Sequence, residues 1–159
     1  MSEKESTRQK ELTITRTFDA PIELVWRAWA EPEHFKKWWG PREYSCPDCI
    51  IDFRVEGKYH NSMMDAKGSK IWTTGIYKEI IPLKKIVYTD SFADENGNVV
   101  SSDQYGMPGV PLEMTVTVTL EEANGKTKMS MTHAGLPDDH MKGANTGWNT
   151  SFDKLAESL

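Results

Sequence analysis

A chain of 159 residues is long enough for one domain that buries roughly 70% of the surface its unfolded form would expose. Hydrophobic residues at 38% and charged residues at 27% exclude a disordered chain, and 19 Lys and Arg against 24 Asp and Glu, a net charge of −5, leave no basic footprint for nucleic acid. No apolar run approaches the roughly 18 residues of a membrane helix, and the opening MSEKESTRQKE lacks the apolar stretch of a secretory signal, so a cytoplasmic protein without membrane attachment is expected.

Residues 1–11 are polar and aperiodic, which predicts a disordered tail ahead of a single domain over 12–159. Leu12, Ile14, Arg16 and Phe18 alternate with Thr13, Thr15 and Thr17, a strand with one buried face. Asp19-Ala20-Pro21 then starts a short helix carrying Ile22, Val25, Trp26 and Trp29 at helical spacing. Glu31-Pro32 restarts the chain into a second short helix with Phe35, Trp38 and Trp39, which Gly40-Pro41 ends.

After Cys49 the pattern turns to hairpins. A strand over Ile50–Val55, a Glu56-Gly57 turn and a strand with Tyr59, Asn61 and Met63 on one face are followed by a turn at Ala66-Lys67-Gly68 and a strand over Ile71–Ile81. Pro82 interrupts before a strand beginning at Ile86, and residues 93–111, rich in Gly and Pro, form a long loop expected at a rim. Over 112–121, Leu112, Met114, Val116, Val118 and Leu120 alternate with polar residues, and Asn124-Gly125 turns the chain into a partner strand with Met129, Met131 and His133 on one face, ending near Ala134. Past Gly135 and Pro137, with Asp138 or Asp139 as cap, Met141, Asn145, Trp148, Phe152, Leu155 and Leu159 mark the apolar side of a long terminal helix. Strand, two short helices, antiparallel meander and long helix make an α+β domain whose sheet packs against that helix.

Six ordered motifs sharpen this outline: Phe18-Asp19-Ala20-Pro21 with Val25-Trp26, Glu31-Pro32-Glu33-His34, Trp38-Trp39-Gly40-Pro41, Gly75-Ile76-Tyr77-Lys78-Glu79-Ile80, Thr132-His133-Ala134-Gly135-Leu136-Pro137 and Gly147-Trp148-Asn149. Together, from about Leu12 to Leu159, they resemble the activator-of-Hsp-ATPase homologue branch of the START and birch-pollen-allergen superfamily. The resemblance implies a helix-grip fold, in which a curved antiparallel sheet wraps a long C-terminal helix, and a capacity to hold apolar ligands between the two. In the eukaryotic chaperone activators the similar domain follows a separate chaperone-binding domain, whereas about eleven residues precede the first strand here.

A cleft between helix and sheet would draw its lining from Trp39, Tyr59, Met63, Trp72, Met129, Met131, Trp148 and Phe152, residue types that equally serve as plain core. An empty apolar cavity of about 300 Å³ costs on the order of 7 kcal/mol at roughly 24 cal/mol per Å³, comparable with the stability of a whole domain. Either a hydrophobic guest occupies such a space or the aromatics collapse into it. Trp148→Ala is expected to lower stability and ligand affinity together. His133, on the apolar face of its strand, is the ionisable candidate for contacting a ligand headgroup, its alternative being a structural histidine.

Cys46-Pro47-Asp48-Cys49 has the spacing of a metal pair or a redox dithiol. No second C-x-x-C exists, and His34, His60, His133 and His140 show no H-x₃₋₅-H spacing, so two reduced loop thiols and no metal are expected. The pair precedes a strand rather than opening a helix, so it lacks the setting that activates a thioredoxin-like thiol. G-x-S-x-G, P-loop, H-E-x-x-H and G-x-G-x-x-G patterns are absent. The expected function is binding of a small hydrophobic molecule without a cofactor. The competing classes are a module acting on a chaperone ATPase, which calls for an apolar surface patch outside the cleft, and a cyclase- or hydrolase-like enzyme, which calls for an ionisable group of displaced pKa inside it.

Overall fold

A computed structural model describes residues 10–159. Of the tail expected over residues 1–11, residues 1–9 lie outside the described residues, and Lys10 and Glu11 belong to the first strand. The first strand, β1 (Lys10–Phe18), opens at Lys10 rather than Leu12 because the final residues of the partner strand are there to receive it: Lys10 faces Leu136 and Glu11 faces Ala134. Helices α1 (Ile22–Ala30) and α2 (Pro32–Phe35) follow, with Glu31 extended between them ahead of the proline. Six more strands form the meander: β2 (Cys49–Ile51), β3 (Lys58–Met64), β4 (Lys70–Ile81), β5 (Lys85–Ala93), β6 (Met114–Ala123) and β7 (Lys126–Leu136). Helix α3 (Asp138–Ser158) ends the chain.

All seven strands join one antiparallel sheet in the order β1-β7-β6-β5-β4-β3-β2. The last strand in sequence therefore pairs with the first, and α3 lies along the concave face. This is the helix-grip arrangement that the resemblance implies. Alternation selects the face: Leu12, Ile14 and Phe18 of β1, Met129, Met131 and His133 of β7, and Met114, Val116, Val118 and Leu120 of β6 are all buried. Arg16 shares their parity and stays at the boundary, where it donates to the Asn149 carbonyl oxygen and to Asp153 Oδ1 at 2.6 Å, tying the edge strand to α3.

Several boundaries differ from the sequence expectation. Leu112 lies outside β6 and is 60% exposed, because β5 reaches only to Met114 in its pairing with β6 and leaves Leu112 without a neighbouring strand. Residues 52–55 form a turn instead of continuing β2: the Asp52 amide donates to the Lys58 carbonyl, and Glu56 adopts φ 68° to reverse the chain. β7 runs on through Ala134 to Leu136. The N-cap of α3 is Pro137, so Asp138 and Asp139 occupy the first turn instead of the cap, where their charge suits the positive helix end. Asn145 and Leu159 of the expected apolar side are exposed. The hairpin at Asn124-Gly125 is as expected, with both residues at positive φ (56° and 79°) in the two-residue loop between β6 and β7.

Candidate functional site

The two halves of α3 meet the sheet differently. Toward the C-terminal end, Trp148, Phe152 and Leu155 are buried against Trp29 and Trp38, with ring centroids of Trp29 and Trp38 4.8 Å apart and those of Trp148 and Phe152 5.5 Å apart. Trp38 donates its indole N–H to the Ala28 carbonyl and Trp29 donates to Met129 Sδ, whereas the buried indole N–H of Trp39 has no partner. Here the aromatics have collapsed into the core. Only a residual space of about 10 Å³ remains, bordered by Trp29, Phe35, Trp39, Tyr59 and Tyr88.

Toward the N-terminal end, α3 presents Gly143, Ala144 and Gly147 to the sheet. A side chain at Gly143 would meet nothing within 4 Å, and one at Gly147 would meet only Pro41 Cγ at 3.5 Å. Small residues at these positions leave the space between helix and sheet unfilled, a cleft of about 410 Å³ that is partly open to solvent. Trp39, Gly40 and Pro41, following α2, form one wall. Met63, Thr73, Asp90, Phe92, Met114 and His133 come from the strands, and Met107 and Val110 from the long loop between β5 and β6. That loop is closed onto α3 by a hydrogen bond of 2.9 Å between His140 Nε2 and the Pro108 carbonyl. Lys154 donates to the carbonyls of Pro41 and Tyr44, and Arg42 pairs bidentately with Glu157, so the wall at residues 39–44 is fastened to the helix.

Of the residues singled out in the sequence, Trp39, Met63, His133 and Trp148 line this cleft. Met129, Met131 and Phe152 do not; each is fully buried beneath the aromatic cluster. Tyr59 borders the small residual space and not the cleft. Trp72 faces the other side of the sheet, stacked on His60 with centroids 4.7 Å apart, because residue parity on β4 turns Thr73 inward instead. Cys46 and Cys49 are free and neither lines the cleft; the two thiols perturb each other, so that the pKa of Cys46 is lowered and that of Cys49 raised, and Cys46 Sγ donates to the Asp48 carbonyl. Among the described residues no cluster of three or more His, Cys, Asp or Glu is placed to hold a metal.

Sequence reasoning missed the acidic residue of the site. Asp90 sits on β5 at the inward parity of Ile86 and Tyr88, a carboxylate on an apolar face and hence a readable signal. Tyr59 spans the sheet to reach it: the hydroxyl is 2.9 Å from Asp90 Oδ1 and 3.1 Å from the Thr89 carbonyl. Its path requires Gly75, where a Cβ would stand 2.6 Å from the Tyr59 ring and 1.8 Å from the Thr89 oxygen. Burial raises the pKa of Asp90, with His133 and the Tyr59 hydroxyl opposing the rise. Burial likewise lowers that of His133, against the pull of Asp90. Trp148 donates its indole N–H to His133 Nδ1 at 3.0 Å, which leaves the neutral ring's proton on Nε2. That Nε2 is 3.6 Å from Asp90 Oδ2, beyond a hydrogen bond, and is buried without a partner.

The comparisons agree with the fold. No protein with a curated description matches the chain. A solved protein of Chromobacterium violaceum is 31% identical with a TM-score of 0.77, covering 92% of this chain and 94% of its own. One of Nitrosomonas europaea is 28% identical with a TM-score of 0.76, covering 94% and 93%. The AHSA1 protein of Silicibacter pomeroyi, 22% identical with a TM-score of 0.77 and covering 94% and 97%, shares the fold. The family model described as activator of Hsp90 ATPase homolog 1-like protein matches residues 19–159, nearly the whole helix-grip domain, and the chain belongs to that family.

Proposed function

We propose that the protein binds a small, largely hydrophobic molecule in the cleft between α3 and the sheet, in the cytoplasm and without a cofactor. One observation carries this reading: α3 places Gly143, Ala144 and Gly147 over an apolar space of about 410 Å³ that ordinary side chains would fill. Each glycine in a helix interior costs about 1 kcal/mol relative to alanine, so the space is maintained against local propensity. The volume lies within the roughly 300–1,000 Å³ typical of small-molecule sites, and a few polar groups converge in a mainly apolar lining. Met63, Met107 and Met114 give walls that adapt to varied shapes. No helix among the described residues is long and apolar enough to cross a membrane.

Native mass spectrometry of freshly purified protein tests this. A single small molecule retained by the wild type and absent from Gly143→Phe, whose ring occupies the cleft, is the supporting result; equal retention by the two would place the guest elsewhere. A second reading, an enzyme of cyclase or hydrolase type, draws on the displaced pKa values of Asp90 and His133 inside the cleft. Chemical conversion of the retained molecule over time would favour that reading, and unchanged recovery favours simple binding. The family description also connects to chaperone ATPases. Among the described residues the exposed large apolar ones are Leu24 on α1, Ile50 on β2, Val55 in the turn after it, Ile81 at the end of β4, Val99 and Leu112 in the loop between β5 and β6, and Leu159 at the last position. The absence of a run of them on any one element favours the cleft over a docking patch.

A further inference from the structure

The polar end of the cleft is specific enough to say what kind of headgroup it takes. His133 Nε2, on a side chain only 7% exposed, carries a proton without an acceptor, because Trp148 occupies Nδ1. Asp90 Oδ1 already accepts from Tyr59, while Oδ2 faces His133 across 3.6 Å, and the Asp90 side chain retains 12% exposure beside the cleft. A donor and an acceptor thus stand side by side, too far apart to satisfy each other. Nε2 has almost no accessible surface, so a guest oxygen reaches it through a small turn of the imidazole or the carboxylate, after which it stands at about 2.8 Å from both, a normal hydrogen-bond length. Resting on the cleft being the binding site, we infer that it selects uncharged apolar molecules bearing a hydroxyl, phenol or alcohol, whose oxygen accepts from His133 Nε2 and whose proton goes to Asp90 Oδ2.

The alternatives leave something unpaired. An ether or ketone accepts from His133 and offers nothing to Asp90. An ammonium group donates to Asp90 but confronts the His133 N–H. A carboxylate meets Asp90 and Asp139, and no lysine or arginine stands among the described lining residues to offset them. A buried polar group left without its partner is penalised more than a made hydrogen bond gains, which is why headgroup chemistry discriminates strongly here.

The test is titration calorimetry at pH 7.5 with three probes sharing one apolar body: 1-naphthol, 1-methoxynaphthalene and 1-naphthoate. The expected order is 1-naphthol tightest, with about tenfold weaker binding of the ether and a larger loss for the carboxylate. Asp90→Asn should erase most of the advantage of 1-naphthol over the ether, read as the ratio of the two affinities, and the ether itself reports whether the variant is folded. Should Asp90→Asn fail to fold, the wild-type order decides alone. Equal affinities for the alcohol and the ether, or preference for 1-naphthoate, would overturn this inference and leave the cleft as an unselective apolar site. Failure of all three probes to bind would overturn the cleft reading itself, and the headgroup inference with it.

Discussion

Asp90 and Gly75 hold the site's polar end in place, and each makes a separate expectation. Burial raises the pKa of Asp90, so between its ordinary 3.8 and the displaced value the folded protein binds a proton that the unfolded chain has released. Stability relative to an uncharged residue therefore falls as pH rises through that window. Asp90→Asn should match the wild type near pH 3.5 and gain on it as pH increases, read as the difference in urea midpoints; a constant difference would contradict the assignment. His133 works in the opposite direction. Its folded-state value lies below 6.5, so the unfolded chain takes up the extra proton and stability drops as pH falls below about 6.5, a slope that His133→Gln should flatten. Gly75→Ala drives a methyl into the Thr89 carbonyl and the Tyr59 ring. A loss of more than about 2 kcal/mol in chemical denaturation is expected, since backbone on the neighbouring strand has to move.

Helix α3 is where stability and site compete. Gly143→Ala should stabilise by about 1 kcal/mol through helix propensity alone, because the added methyl meets open space. The loop between β5 and β6 hangs from the same helix by His140. Removing that tie with His140→Ala should raise amide exchange at Met107, Gly109 and Val110 roughly fivefold, the effect of one hydrogen bond of about 1 kcal/mol. Unchanged exchange would mean the loop is held by its apolar contacts instead. At this scale most elements were legible in the sequence. Period-two runs gave β1, β6 and β7, and Pro32, Gly40-Pro41 and Asn124-Gly125 marked the breaks, because local sterics decide those positions. The interrupted strand at 52–55 and the exposed Leu112 were not legible, since both depend on where a neighbouring strand stops pairing.

Across the whole molecule, one sheet face serves two purposes: solid aromatic core under the second half of α3 and an open cleft under the first. The sequence reading treated collapse and cleft as alternatives, and the chain contains both, divided at Trp148. Trp39, Met63, His133 and Trp148 were found because aromatic, thioether and imidazole groups on inward parity stand out. Met129, Met131 and Phe152 look the same in sequence and became core, since parity gives the face of the sheet but not the position along the helix. The glycines that hold the space open were overlooked because the signal there is missing volume. For the same reason, a helix over the sheet does not by itself leave a cleft in this chain; the small residues on its first half are what leave the space unfilled.

The most direct measurement is amide and indole chemical-shift mapping of the isotope-labelled protein during titration with 1-naphthol. Saturable shifts concentrated at Gly40, Met107, Val110, Gly143, Ala144 and the Trp148 indole N–H are expected, with the Trp38 indole unmoved in its core position. Shifts centred away from that set, or none at saturating probe, would contradict a guest site between α3 and the sheet.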